Sequence, residues 1–537
     1  MGIIRKGPVG PAEFASIFKR LARDDQGGVL GVGVSGDSKS LATLLLLRKA
    51  VGADRLVAFT VDHGLKDGTA AEAARISQQV QQLGITHHVL PVSWKQSGSL
   101  FINDKKDPPR DPNFIKSTHR TEVRAALRVR RGNLLARACS EHGIKTLVIG
   151  HSLNDQVRMS LGGIRKGSDI ESLAGLKMRD SDIAPASTPA ASNVKLWRPV
   201  LCFTEERLTA TCSANDLTPH DGPTNPLLFP PADYRGPAVH GSDLVIPNTG
   251  ATLPLESYAR FMEHMDKHRS AFAAQVTPIL HDYTLRDPPT GTAFLQIRTL
   301  PNNIRNHWIF KPHLANRVIG NLFAWAAPRH EIAAPNVPAL LCQKLRADHA
   351  DGASTSVSGG GIMLFPPRTR GIGAGIWVLG RKPLTKREQV NNTIKMRIGD
   401  RAVWDSRFRI ALKTSKNPAP FYGIDPSQAR FVVRMYTEKD EHLILDLMRQ
   451  KPRTEWNDEV IELVTNYRKK MPTLLRKTIP CVAVLQDNGD ASFVIAVPSL
   501  RVNLQPTLVD IQFAFIGGSR LNKETEGVGF MLPPEQS

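Results

Sequence analysis

Along the first part of the chain the apolar positions switch back and forth between the two-residue spacing of a strand and the longer spacing of a helix. Val29, Leu30, Val32 and Val34 make a short apolar run relieved by Gly31 and Gly33, the pattern of a buried parallel strand. Ser35-Gly36-Asp37-Ser38 breaks the run, and Leu41, Leu44 and Leu45 among good helix formers predict a helix after it. Residues 54–61 read as a second strand, ending in Asp62-His63-Gly64-Leu65. Over residues 68–83, Ala70, Ala73, Ala74, Ile76, Val80 and Leu83 recur at helical period, with Glu72, Arg75, Gln78 and Gln82 on the opposite face. Gly84 closes that helix, and residues 86–92 predict a third strand. After a polar stretch at 101–121 with three prolines, read as a surface loop, residues 122–141 predict a long helix and 145–149 another strand. This alternation makes an α/β fold with a doubly wound parallel sheet, Rossmann-like, the economical solution.

Farther along the regularity fades. Residues 180–242 are rich in Pro, Ala, Ser, Thr and Asn, interrupted by LWRPVLCFTEERLTATC, which reads as a short strand and helix. Residues 253–276 predict a helix whose Tyr258, Phe261, Met262, Met265 and Phe272 form a core face, and 293–326 a strand and an amphipathic helix. The expected organisation is an α/β domain at 1–225, a helix-rich middle region at 226–350, a Gly-rich linker at 351–375 and an α+β C-terminal region at 376–537.

Composition sharpens this picture mainly through charge. At 537 residues there is room for two to four domains, and 70 Lys+Arg against 50 Asp+Glu leaves a net charge of +20, which points to a polyanionic partner. Five cysteines without a CxxC pair disfavour structural zinc, iron–sulfur clusters and a disulfide framework. No apolar run is long enough to cross a bilayer. Near the start, Phe14, Ile17, Phe18 and Leu21 at helical spacing lie among basic residues as in a transit helix, but Glu13, Asp24 and Asp25 favour a helix packed on the first domain.

The chemistry follows from where the pattern places polar residues. A strand, a small flexible loop and a helix N-terminus make an anion cradle, because the first helical turn leaves N–H groups unpaired and carries partial positive charge. Phosphate is the expected ligand of Ser35–Ser40. The strand at 145–149 delivers Gly150-His151-Ser152-Leu153-Asn154-Asp155-Gln156 to the carboxyl edge of the same sheet, where open α/β folds bind ligands. Arg124, Arg128, Arg130, Arg131 and Arg137 crowd one predicted helix with no acid among them, an arrangement that calls for an anion nearby.

Three segments in this order resemble one family. VSGDSKSLATLLLL resembles the PP-loop of the N-type ATP pyrophosphatases, and TVDHGL and GHSLNDQ…GGIRKGSDIESLAGL resemble the second and third motifs of the tRNA(Ile)-lysidine synthetases. Arg128 and Arg131 fall on that family's arginine helix; Trp197-Arg198-Pro199-Val200 and Asp221-Gly222-Pro223-Thr224-Asn225 are similar to its domain end. The resemblance implies an ATP-dependent ligase. Lysine is joined to C2 of the wobble cytidine of a CAU-anticodon isoleucine tRNA, through an adenylated intermediate, with release of pyrophosphate and AMP.

By the same resemblance Asp37, Asp62 and Asp155 are the catalytic residues. Ser35, Gly36, Asp37, Ser38, Lys39, Ser40, His63 and His151 bind ATP, Asp37 and Asp155 hold Mg²⁺, and Arg124, Arg128, Arg131 and Arg165 bind tRNA. The partners implied are tRNA, ATP and lysine, with no membrane. A mitochondrial location is expected from the long Pro-rich insertions, the cytoplasm of a bacterium being the alternative.

The motifs also depart from the family. Its loop reads Ser-Gly-Gly-x-Asp-Ser. An ungapped match sets Lys39 on the aspartate, whereas a loop two residues shorter keeps Asp37-Ser38 as the Asp-Ser pair. Both readings stand on sequence grounds. In the third motif, normally His-His-x-Asp-Asp-Gln-x-Glu-Thr, Ser152, Asn154, Arg158 and Met159 replace four members. A tRNA-binding descendant without turnover is therefore the second expectation, and another PP-loop activity such as base thiolation the third.

Overall fold

A computed structural model describes residues 7–23, 27–64, 68–92, 120–165, 170–180, 194–220, 238–240, 243–245, 251–297, 307–328, 336–351, 356–367, 375–420, 424–450, 458–485 and 492–516. They gather into two compact units divided between Ala273 and Ala274.

The first unit opens with α1 (Pro11–Leu21), whose Phe14, Ile17, Phe18 and Leu21 are buried. This is the packed helix that the acidic residues favoured. Then follow β1 (Leu30–Gly33), α2 (Ser38–Val51), β2 (Leu56–Asp62), α3 (Thr69–Gln82), β3 (Thr86–Pro91), α4 (Arg120–Glu141) and β4 (Thr146–Ile149). After these come α5 (Leu153–Arg165), α6 (Ile170–Leu173), β5 (Arg179–Asp180), β6 (Lys195–Trp197) and α7 (Glu205–Ser213). The strands lie in the order β3-β2-β1-β4-β6-β5. All neighbours are parallel except the short edge pair β5 and β6.

This order fixes where a ligand sits. From β1 the chain winds outward through β2 to β3 and then crosses to β4 on the other side of β1, so β1 and β4 flank the topological switch point. Gly31 gives close packing at the centre: a Cβ there would stand 3.1 Å from the Phe59 ring and 3.2 Å from Cys139 Sγ, so both side chains would have to shift to admit one. The α2 helix is apolar nearly all round and correspondingly buried from Leu41 to Leu47. The same core takes in Leu244, Leu255, Tyr258, Ala259 and Met262, so this unit extends beyond the boundary expected at residue 225. Those later residues come from a small sheet and from α8 (Leu255–Tyr283), the helix anticipated at 253–276.

The second unit is built from antiparallel sheets. Thr284–Asp287, Thr292–Gln296, Ile376–Arg381, Ile362–Phe365 and Val357–Gly359 form one sheet, in that order. The stretch expected as a Gly-rich linker thus contains two paired strands. Its glycines serve the turn, where Gly360 and Gly361 have φ of 51° and 75°. The segment WDSRFRI forms a hairpin corner in which Asp405 accepts from the buried Arg407 at 2.8 Å, so these charges serve the fold. Among the described residues no helix is long and apolar enough to cross a membrane.

Candidate functional site

Two clusters meet the carboxyl ends of β1, β2 and β4. The first is organised by α2. Asp37 caps that helix, accepting from the Ser40 N–H at 2.8 Å, and Gly36 at φ 83° lets the chain turn from strand to helix. Ser40 Oγ in turn accepts from the Ser35 N–H at 3.1 Å and donates to the Asp37 carbonyl at 3.1 Å, which ties the loop into a closed ring. The N–H groups of Ser38 and Lys39 lie in the first turn, where no intrahelical acceptor exists, and are placed for an anion.

From the facing end of β4, Asp155 closes the cluster. Ser152 and Asp155 form a reciprocal cap on α5: the Ser152 N–H and hydroxyl donate to Asp155 Oδ2 at 3.0 and 3.1 Å, and the Asp155 N–H donates back at 3.3 Å. Lys39 Nζ lies 3.3 Å from Asp155 Oδ1 and 3.2 Å from Oδ2, and 3.9 Å from Asp37 Oδ2. Arg158 adds a second cation at 3.3 Å and also reaches Glu205 at 3.6 Å. Burial pushes the Asp155 carboxyl upward, but Lys39, the Ser152 N–H and Arg158 outweigh it, so its pKa falls below the usual carboxylate value. Lys39 mirrors this: burial pulls its pKa down and Asp155 and Asp37 raise it past the usual ammonium value. Both are ionised at neutral pH.

The remaining third-motif side chains are structural. Asn154 Oδ1 accepts the Glu205 N–H at 3.0 Å, and Gln156 Oε1 accepts the Leu176 N–H at 2.6 Å. Gly150 is demanded by packing, since a Cβ there would stand 2.7 Å from the Lys39 carbonyl oxygen. Gly150→Ala is therefore expected to push the first turn of α2 away from β4 and to destabilise the chain by about 1–3 kcal/mol, read as a lowered urea midpoint.

His151 belongs to the same edge. Its Nδ1 accepts from Arg198 Nε at 3.2 Å, which leaves the hydrogen on Nε2. Burial, then the Arg198 charge, pull its pKa down to about 3, so the ring is neutral. Arg198 itself is buried and anchored on the Lys177 carbonyl at 2.7 Å and on Asp180. Sequence alone gives no sign of this contact between residues 47 positions apart, since the WRP triplet resembles only the family's domain end.

The second cluster is a pocket floored by Val34, Phe59, Ile76, Leu135 and Ile149, with Ser35, Asp62, His63, Glu72 and Arg131 on its rim. Asp62 Oδ1 is held by the Gly64 N–H at 3.0 Å. Glu72 pairs with His220 at 2.9 Å, and the His220 N–H donates to the Gly36 carbonyl at 2.8 Å, so α3 and the Ser35–Ser40 loop are linked through a residue that lies in none of the three motifs. Arg131 as a residue is exposed on α4; desolvation of its guanidinium and the charge of Arg128 lower its pKa, and the charge of Asp37 acts in the opposite sense. Arg128 is exposed on α4. The side chains of Arg124 and Arg165 lie outside the described residues, as do residues 221–225 and 101–119.

Behind the pocket a relay of hydrogen bonds crosses the sheet. Thr60 donates to the Val34 carbonyl at 2.8 Å and so must accept from His87 Nε2 at 2.9 Å; His87 Nδ1 then accepts from Ser77 at 2.9 Å. Burial, with the neighbouring His88, lowers the His87 pKa to about 4. The unfolded chain protonates first on acidification, so stability should be level above about pH 6.5 and fall between 6.5 and 4, by no more than about 1.4 kcal/mol per pH unit. Melting temperatures across that range, compared with His87→Gln, check the slope, which the variant should flatten.

A family model described as a PP-loop domain matches residues 12–227. The tRNA(Ile)-lysidine synthase of a Bradyrhizobium species is 31% identical over 222 residues, covering 41% of this chain and 52% of that protein. That of Zymomonas mobilis is 29% identical, covering 40% and 56%. That of Methylobacterium nodulans is 25% identical, covering 68% and 98%. The chain thus spans about half the length of the first two relatives.

Proposed function

With residues 12–227 a PP-loop domain related to that of the tRNA(Ile)-lysidine synthases, we propose that the chain is an ATP-dependent tRNA-modifying ligase that joins lysine to C2 of the wobble cytidine of a CAU-anticodon isoleucine tRNA. The observation that carries this is the convergence of the Ser35–Ser40 loop and Asp155 at the switch point of the sheet, with Lys39 Nζ 3.2 Å from that carboxylate. The adjoining apolar pocket suits a planar base, and its rim of Asp62, Glu72 and Arg131 suits polar substrate groups.

In this reading the nucleotide's phosphates lie on the N–H groups of Ser38 and Lys39. The C2 oxygen of the cytidine attacks the α-phosphorus and pyrophosphate departs. The ε-nitrogen of lysine then attacks C2, AMP leaves with that oxygen, and the nitrogen gives up a proton, for which Asp62 is the carboxylate not committed to an ion pair with Lys39. The arginines Arg128 and Arg131 face the tRNA backbone. All five cysteines are buried, and burial raises the Cys139 thiol beside β1 to about 12, which makes it a poor sulfur carrier for the thiolation alternative.

Magnesium is the one expected component that the residues do not suit. Asp37 and Asp155 both face Lys39, and Arg158 occupies a further side of Asp155, so no step is assigned to a metal here. The same feature favours the second reading, a tRNA-binding protein without turnover. Incubation of the chain with CAU-anticodon tRNA, ATP and lysine decides: AMP release that needs all three supports the ligase. Background release with salt-sensitive tRNA binding retained supports the non-catalytic protein.

A further inference from the structure

The conflict between the expected metal and the side chains present has a positive content. We propose that the ammonium of Lys39 serves as the cation of this nucleotide site, so that the chain binds the ATP polyphosphate without a divalent metal. The proposal rests on the reading that the Ser35–Ser40 loop binds ATP.

Three observations carry it. The first is position: Lys39 is the second residue of α2, in the turn whose N–H groups face the anion site, and its ammonium sits between Asp37 and Asp155. These are the two carboxylates that a metal would need. The second is geometry. Magnesium demands oxygens near 2.1 Å in an octahedral array. An ammonium held 3.2 and 3.3 Å from the two oxygens of Asp155 already fills the space such an ion would take between the carboxylates. A dication placed there would also meet the charges of Lys39 and Arg158 at close range.

The third is charge balance. Three acids, Asp37, Asp155 and Glu205, face two cations, Lys39 and Arg158, with Arg158 shared between Asp155 and Glu205. The cluster's own side chains cancel all but one of its negative charges, much of the task a metal would otherwise perform. Lysine is suited to this task, being a compact charge with three donors on a flexible stem. It can keep one donor on Asp155 and turn another toward a phosphate oxygen. Its side chain is only 16% exposed, so the charge acts in a partly dry setting where it is screened little.

Calorimetric titration of ATP into the full chain, with excess Mg²⁺ and separately with EDTA, tests this. The dissociation constants in the two buffers should agree within about threefold, because no metal ligand set is vacant. In Lys39→Ala the affinity in EDTA should fall by about tenfold or more, the scale of one lost charge-assisted bond, with Mg²⁺ now restoring part of it. Manganese alone, followed by its paramagnetic resonance signal, gives an independent measure that needs no nucleotide: the parent chain should leave the ion free, and Lys39→Asp should bind it. Binding of ATP by the parent chain only in the presence of Mg²⁺, or capture of manganese by the parent chain at Asp37 and Asp155, would overturn the inference and leave the nucleotide site standing. No ATP binding in either buffer would instead remove the nucleotide-site reading, and this inference with it.

Discussion

Asp155→Ala is expected to lower ATP- and lysine-dependent AMP release by at least about 100-fold, the usual cost of removing one preorganised charge at a reacting centre. The carboxylate accepts from the Ser152 N–H and hydroxyl and from Lys39, so its loss leaves the Lys39 ammonium without its nearest carboxylate. Affinity for tRNA should stay within a few fold, since Asp155 sits at the start of α5 and the arginines Arg128 and Arg131 sit on α4. Asp155→Asn separates charge from shape. The amide oxygen can still accept from Ser152 and keep the cap of α5, so the fold should persist while turnover is lost. Turnover of Asp155→Asn within tenfold of the parent would remove Asp155 from the reacting site.

The largest expected loss of stability lies away from that centre. Arg207 of α7 is buried, and its guanidinium donates to Glu13 at 2.9 and 2.8 Å and to the carbonyls of Gly7 and Pro8 at 3.1 and 3.2 Å. The Val9 N–H donates to Thr211 at 2.9 Å, so the segment leading into α1 is stitched to α7 along its length. Glu13→Ala strands a buried guanidinium and should cost about 3–5 kcal/mol in urea-induced unfolding. Replacing both partners with apolar residues of similar size, Glu13→Leu with Arg207→Met, should recover most of it, because desolvating the pair offsets much of its attraction. A loss under about 1 kcal/mol in the single variant would mean that the Glu13–Arg207 pair contributes little to the docking of α1, leaving that task to its apolar face.

How much of this was legible in the chain depended on the range of the interaction. The β1–α2 and β2–α3 units, the Asp37-Ser38 start of α2 and the packed face of α1 all follow from spacing and from the chemistry of a few adjacent residues. The hairpin inside 351–375 was missed because Gly-rich turns look like linkers when the paired strands are as short as Val357–Gly359 and Ile362–Phe365. The third motif was legible as a place but not as a set of roles. Ser152, Asn154 and Gln156 look like site residues in the chain and act in the structure as buried hydrogen-bonding partners of α5, α7 and the segment after α6.

The loop between β1 and α2 shows the division most sharply. By itself the sequence determined that Gly28–Lys49 is a strand, a tight polar turn and a helix, since those follow from apolar period, glycine and an N-cap carboxylate. It left two registers open. What the tertiary structure adds is where the side chains point: the Asp37 carboxylate turns back onto its own helix, and Lys39 reaches across to Asp155. The reason is physical. A cap is a contact over three residues, whereas the direction of the Lys39 side chain is set by a carboxylate 116 positions away, brought near only because β4 lies beside β1.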